Sequence, residues 1–570
     1  MRKLLPFLNW FPMGRDALQA DLLAGVTVAL VLIPQSMAYA NLAGLPAYYG
    51  LYAAFLPGAV AALFGSSRQL ATGPVAVVSL LTGAALLPFA QSGSEQFVAL
   101  AILMSFLIGV VQLTLGLLRM GVVVNFLSHP VILGFTNAAA LIIGLSQLSK
   151  IFGVGMGRSD HFLQDIWGVL RQLHTTHWPS LVFGAVAFIA MWTLKKRWPR
   201  LPNVLIAVAI TTLASWALDF QDMGGRVVGE IPRGLPLLAL PDFDWQIMGN
   251  LVSSAVIISL VGFMEAISIA KAMAARTRES IDPNQELIGQ GLGNLVGALT
   301  QAYPTSGSFS RSAVNLDAGA RSGFSSVVTS LMVLATLLFL TPLLYHLPEA
   351  VLAAVIMMAV VGLLNVKAIV HAWQANRHDG IAAIATFCAS LVFAPHLDKG
   401  IFFGAGLAIL LFLYRTMNPR VALLGLFPDG TLRDVAFHPE LPTDPQIIVM
   451  RFDGQLYFAN VSYFEEMVLN AVSSKPNAKF LLLVGDGINQ MDASGEEVVR
   501  HLVERVHKNG MVMVFSGLKR QILLVMQATG LLDFVGSRNI FSTEQAALND
   551  IYERLNRDSD RPLLNAVGNR

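Results

Sequence analysis

The chain has 570 residues, 55% of them hydrophobic and 13% charged, with a mean hydropathy of +0.61 and a formal net charge of +2. A soluble globular protein carries roughly twice that charged fraction, so most of this chain must face lipid. The small net charge and scattered lysines and arginines exclude nucleic acid as a partner, and the single cysteine, Cys388, excludes an intramolecular disulfide or a cysteine-based metal site.

Arg2 and Lys3 are followed by prolines and Asp16 with no small-residue cleavage site before Leu22, so residues 1–20 read as a cytoplasmic segment and not as a cleaved signal. About 20 apolar residues make one helical span. Seven spans are predicted near 21–41, 47–64, 74–90, 97–118, 123–149, 179–195 and 201–218, and seven more near 249–274, 284–300, 308–320, 323–342, 348–366, 379–395 and 399–415. In each half the third span, at Pro74 and at Ser308, is short and follows a glycine-rich stretch. Because seven is odd, the second half enters from the opposite face, giving a 7+7 inverted repeat whose matched broken helices mark the substrate site. Gly289, Gly293 and Gly297, spaced by four, read as close helix packing and nothing more.

Arg68, Arg119, Lys195, Lys196, Arg197, Arg200, Lys271, Arg276, Arg278, Lys367 and Arg377 fall in loops on one side, which is therefore cytoplasmic. The opposite loops hold fewer basic residues (Lys150, Arg158, Arg171, Arg226, Arg233, Lys399) and several acids. An even number of spans puts both termini inside. The fold class expected is an α-helical membrane protein of about fourteen transmembrane segments, over 21–415, followed by a linker, 416–440, and a small cytoplasmic α/β domain, 441–556. In that domain strands at 447–452, 480–484 and 511–515 alternate with helices at 461–473, 495–508 and 520–529, and the tail 557–570 reads as disordered.

Ser306, Ser308, Phe309, Ser310, Arg311 and Ser312 crowd the start of the tenth span. An arginine at membrane depth costs about 2.5 to 3.5 kcal/mol on translocon scales, which makes it a functional residue by default. Hydroxyls, a guanidinium and the N–H groups of a half-helix supply what an oxyanion accepts, although Arg311 pairing a carboxylate between helices also fits. The facing half-helix is expected near Thr72, Gly73 and Pro74, with proline in its first turn. Gln35, Ser36 and Tyr39, after Pro34 in the first span, either line the same cavity or pack helices. Glu265 lies in an apolar run where an ionised carboxylate needs a partner. A protonatable coupling group and a static ion pair with Lys271 or Arg311 both fit it. Ser494 stands near a helix N-terminus and reads as a cap that phosphorylation could modify.

The stretches IPQSMAYANLAGLPAYYGLYAAF, GSSRQLATGPVAV and PTSGSFSRSAVNLDAGARS resemble the SulP family of anion permeases, especially its plant and bacterial sulfate-transporter branch. IIVMRFDGQLYFANVSYF and DGINQMDASG are similar to that family's C-terminal STAS domain, which is related to anti-sigma-factor antagonists. The resemblance implies core and gate subdomains, an anion held between the third and tenth segments, an elevator-like movement of the core, and a homodimer. Carried onto this chain, the substrate site comprises Gln35, Tyr39, Gly73, Pro74, Val75, Ala76 and Ser308 to Ser312, with Glu265 where proton-coupled members place an acid. Val75 departs from animal chloride-type members that carry phenylalanine there, and Ser494 matches the position phosphorylated in the antagonists. Proton-coupled sulfate uptake is the expected function, with sodium-coupled bicarbonate transport, proton-coupled dicarboxylate transport or an uncoupled exchanger or channel as alternatives. No cofactor is expected; the partners expected are the anion, a coupling proton or sodium ion, membrane lipid, a second copy and a STAS-domain regulator, in a bacterial inner membrane. No Walker A, HExxH or GxSxG constellation suggests an enzyme.

Overall fold

A computed structural model describes residues 5–121, 128–156, 162–198, 202–232, 234–557 and 563. Arg2, Lys3, Arg158, Arg200, Arg233, the start of the fifth expected span and most of the C-terminal tail lie outside the described residues. The chain divides into two compact units, 1–408 and 409–570.

The first unit begins with a 3-10 turn at Pro6–Trp10, then α1 (Arg15–Leu42), α2 (Tyr48–Phe64), the short strand β1 (Ala71–Gly73), α3 (Ala76–Leu86) and α4 (Glu95–Leu117). Next come α5 (His129–Ser146), α6 (Leu148–Phe152), α7 (Phe162–Arg171), α8 (Trp178–Arg197) and α9 (Asn203–Ala217). The second half repeats the plan: α10 (Trp245–Thr277), α11 (Pro283–Leu299), strand β2 (Ser306–Ser308), α12 (Phe309–Asp317) and α13 (Phe324–Ala335), which runs on as a π turn, Thr336–Leu340. It closes with α14 (Glu349–Val361), α15 (Val366–Ala375), α16 (Arg377–Phe393) and α17 (Leu397–Met417). Among the described residues, eight helices are long and apolar enough to cross a membrane, and α2, α3 and α9 are shorter apolar helices. Each of the fourteen expected spans contains a helix. The spans expected from the sequence do not include α7 and α15, which are amphipathic: in FLQDIWGVLR Phe162, Ile166 and Val169 are buried, while Leu163, Trp167 and Leu170 are exposed.

Helices α1 to α4 pack with α10 to α13, and α5, α6, α8, α14 and α16 pack among themselves, giving two bundles. Close approach is built from glycine. A Cβ on Gly289 would lie 2.6 Å from Gly65 N, and one on Gly293 2.8 Å from Pro57 O, so α11 sits backbone to backbone against α2. Asp21 of α1, fully buried, accepts from the N–H of Arg321 (2.7 Å) and Ser322 (3.1 Å) and from the Ser322 hydroxyl (2.6 Å), fixing the turn before α13.

The second unit holds β3 (Arg420–Leu426), β4 (Leu432–Asp434), β5 (Ile447–Asp453), α18 (Val461–Ser474), β6 (Phe480–Val484), α19 (Ala493–Lys508) and β7 (Val512–Ser516), then α20 (Arg520–Ala528), α21 (Leu531–Val535), β8 (Ile540–Phe541) and α22 (Glu544–Arg554). The strands form one sheet in the order β4-β3-β5-β6-β7-β8, antiparallel at β4-β3-β5 and parallel thereafter. Alternate residues serve two cores: Ile448, Met450 and Phe452 face α18 to α21, while Ile447 and Val449 face α22. Residues 416–440, expected as a linker, carry β3 and β4. RVALLGL was passed over because it directly follows the apolar run of the last span. Within the expected disordered tail, Arg557 pairs with Asp444 and the Leu563 N–H donates to Tyr552 OH, so these two positions are anchored.

Candidate functional site

Strands β1 and β2 pair antiparallel, Ala71 opposite Ser308, Thr72 opposite Gly307 and Gly73 opposite Ser306. The pairing brings the N-termini of α3 and α12 together from the two halves of the chain. Neither helix has a side-chain cap, so their first N–H groups keep the partial positive charge of a helix start. The proline expected in the first turn of α3 stands one position earlier. Val75, extended at φ −136°, is the N-cap, Ala76 opens the helix, and Pro74 ends the strand segment by removing a ladder donor.

Arg311 lies in the first turn of α12 and is fully buried, and its Nε, Nη1 and Nη2 have no hydrogen-bond partner among the described residues. The expected alternative, a carboxylate partner holding helices together, is not formed. Tyr39, Tyr303 and Glu265 are the ionisable side chains that act on it electrostatically. A Cβ at Gly73 would stand 3.3 Å from Arg311 Nη2, so glycine leaves the guanidinium room beside β1. Glu265 has a buried Oε2 without a partner, and no ion pair joins it to Lys271 or Arg311 among the described residues. It is positioned by β2 lying on α10, where Ser306 Oγ donates to Gly262 O at 2.7 Å and Gly307 fits against Ala266.

The other expected residues divide. Tyr39 and Gln35 are buried one turn apart on α1, and Gln35 Oε1 has no partner. Gly73, Pro74, Val75 and Ala76 are all buried. The hydroxyl of Ser312 is engaged in structure, accepting from Ala71 N–H at 2.9 Å. Ser308 and Ser310 lie 3.4 Å apart, hydroxyl to hydroxyl, and Phe309 is 59% exposed, turned away from the guanidinium's enclosure. Ser494 is not the cap of α19. Asp492 is, accepting from Gly495 N–H at 2.8 Å, while Ser494 sits in the first turn.

Residue-by-residue reading missed two supports. Tyr303, fully buried, shares a 3.1 Å hydrogen bond with Ser79 of α3, and Gln290 Nε2 donates to Thr72 Oγ1 at 2.7 Å. In sequence Tyr303 only marks the break before the tenth span, and nothing local links Gln290 to β1. Among the described residues no group of His, Cys, Asp and Glu could hold a metal ion. The site offers a buried cation, uncapped N–H groups and hydroxyls converging from two halves of the fold, which is a donor set for a small oxyanion.

Residues 18–386 match the sulfate permease family and residues 438–547 the STAS domain. The chain is 35% identical to the probable sulfate transporter 4.2 of Arabidopsis thaliana over 95% of this chain and 82% of that protein. It is 32% identical to a probable sulfate transporter of Mycobacterium tuberculosis over 94% of this chain and 95% of that one. Among solved structures it is similar to murine Solute Carrier 26 family member A9, an anion transporter in the inward-facing state, at TM-score 0.87 and 24% identity over 96% of this chain and 93% of that one. The transmembrane domain of the cyanobacterial bicarbonate transporter BicA gives TM-score 0.59 and 24% identity over 70% of this chain and 98% of that one. At these identities the structural likeness speaks for the fold alone, a helical membrane-type fold with several apolar helices. With the family matched along 18–386 and its relatives aligned over nearly the whole chain, this protein belongs to the sulfate permease family, multi-pass membrane anion transporters and not enzymes.

Proposed function

We propose that the protein is a proton-coupled sulfate importer that works by elevator-like alternating access, with sulfate held between α3, α12 and α1. One observation carries the reading: a fully buried guanidinium whose three nitrogens have no protein partner, set at two uncapped helix starts. A buried unpaired ion costs several kcal/mol, and a dianion that accepts from Arg311 and both sets of N–H groups removes that cost. The relatives named as sulfate transporters support the choice of anion.

A dianion entering against an inside-negative potential costs about 4.6 kcal/mol at 100 mV, from about 2.3 kcal/mol per charge. Positive charge must enter with it. Glu265 supports that role, because its carboxylate reaches the electrostatic field of Arg311 without forming an ion pair and so is available to carry a proton. The excess of basic residues in the loops of one side supports a cytoplasmic location for both termini and the STAS domain, and a bacterial inner membrane belongs to the same proposal. The remaining expected properties, a homodimer, a STAS-domain partner and phosphorylation at Ser494, belong to the same proposal and rest on the family resemblance.

The test is radiolabelled sulfate uptake into proteoliposomes under an inward proton gradient, an inward sodium gradient or neither, with bicarbonate and succinate as competitors. Proton-stimulated uptake that Glu265→Gln abolishes supports the reading. Uptake driven by sodium alone, or a Glu265→Gln variant that keeps proton stimulation, overturns it, and the competitors then identify the anion.

A further inference from the structure

We infer that the protein has a second anion site, an outer vestibule in which Lys150 gathers oxyanions before they reach Arg311. A cavity of about 700 Å³ opens at the end of the first unit where α1 stops and α17 starts. Its walls come from both bundles: the ends of α1 and α3 on one side, and α5, α6, the start of α8 and the start of α14 on the other. Leu80 and Gly83 of α3 line it, four and seven residues beyond Ala76, so at a rise of about 1.5 Å per residue its floor lies roughly 6 to 10 Å from the helix start at the central site. The cavity therefore occupies the outer half of the route along α3, between the bundles that move against each other in the proposed cycle.

The charged groups facing it are Lys150, Arg226, Glu349 and Asp165, together with His177. Both ring nitrogens of His177 are occupied, by Ser180 Oγ and Met223 O, each at 2.8 Å. Arg226 and Glu349 are held side by side because Glu349 N–H donates to Arg226 O at 2.9 Å and Val227 bridges Pro348. Lys150, half-buried in the last turn of α6, forms no ion pair among the described residues, although Glu349 and Arg226 both act on it across the cavity. A lysine that lines this cavity without an ion pair among the described residues presents its ammonium to whatever enters. Glu349 and Asp165 balance Lys150 and Arg226, so the vestibule holds an anion only weakly, at the Lys150 ammonium, and lets it pass inward, as a transit site must.

This inference rests on the orientation and anion-transport reading above, and its test separates the two. Because the sequence has one cysteine, the exposed Cys388, a Cys388→Ala background leaves a single introduced thiol to modify. In that background Lys150→Cys should raise the KM for sulfate uptake by cells about 3- to 10-fold with Vmax unchanged, and Glu349→Gln should lower it. An impermeant cationic methanethiosulfonate should restore the KM of Lys150→Cys, and an anionic one should raise it further. An unchanged KM, a fall in Vmax alone, or restoration by a neutral reagent overturns the vestibule. A transport-independent measurement completes the test: saturating sulfate or bicarbonate should slow labelling of the introduced thiol by the anionic reagent, and failure of both to do so also overturns it. Absence of uptake in the parent protein with protection intact would sink the sulfate reading and leave the vestibule standing.

Discussion

Arg311 in the membrane unit and Asp444 in the STAS domain are both wholly shielded from solvent, and their surroundings are opposite. Asp444 accepts from Arg557 Nη1 at 3.0 Å, Tyr552 OH at 3.1 Å and Gln446 N–H at 2.8 Å. Arg311 has no hydrogen-bond partner among the described residues. A buried ion with a full set of partners ties a fold together, whereas one without partners is a standing cost that only a ligand of opposite charge relieves. The contrast does not divide membrane from soluble protein, since Asp21, deep in the membrane unit, is as fully engaged as Asp444. It divides charge satisfied within the fold from charge left unsatisfied, which the proposed function gives to the substrate.

The sharpest way to break the comparison is to remove both charges and look for opposite outcomes. Arg311→Met should cut sulfate uptake by about 100-fold or more, the loss of more than one charge-assisted contact, while raising the melting temperature of the detergent-solubilised protein, because an unpaired buried ion is gone. A variant that loses stability along with transport would show that Arg311 has a structural partner after all. Asp444→Ala should do the reverse. It removes the buried carboxylate that accepts from Arg557, Tyr552 and Gln446, costing the STAS domain about 3 kcal/mol, which hydrogen exchange over 441–556 would register while the transmembrane helices stay protected.

A smaller effect tests the space around the guanidinium. Gly73→Ala places a methyl about 3.3 Å from Arg311 Nη2, so sulfate KM should rise by roughly 10-fold with little change in melting temperature, as one crowded contact displaces the ligand. Equal uptake by the variant would mean the anion sits away from β1.

The smallest effect comes from an ion between the two extremes. Burial, followed by a hydrogen bond with the Asp486 carboxyl, raises Glu544 above the usual carboxylate range. A raised carboxyl favours folding when protonated, so its contribution is complete below about pH 4.3, its unfolded value, and is lost as pH rises through the folded value. At neutral pH the ionised side chain is a penalty. Glu544→Gln should therefore lift the STAS-domain melting temperature by about 1–2 °C at pH 7.5, with the gain vanishing near pH 4.

The spans were legible in the sequence because lipid imposes a run length, and a missing run cannot be compensated elsewhere in the chain. The β5-to-α20 alternation was legible for a similar reason, since each strand and helix carries its own apolar period. Arg311 stood out as a charge in an apolar context. Less legible were the small devices. The N-terminal strands of the STAS domain follow directly on an apolar helix and read as linker, and the sequence does not choose between Ser494 and Asp492, two positions earlier, as the cap, because the two have equal propensity and only backbone geometry decides.

What the sequence by itself determined is where the apolar helices lie, the two matched interruptions, the family and the candidate charges, all of which depend on residues near one another in the chain. Only the tertiary structure decided which of those charges are satisfied. Ala71 and Ser312, whose hydrogen bond closes the site, are 241 residues apart, and Ser66 reaches Glu286 across 220. Partners at such distances leave no periodic trace, because a hydrogen bond constrains two positions in space and nothing in between. That is why the sequence offers serine at 312 as a ligand donor without showing that its oxygen also accepts from Ala71 N–H, while Arg311 beside it, with the same apolar surroundings in sequence, has no hydrogen-bond partner among the described residues.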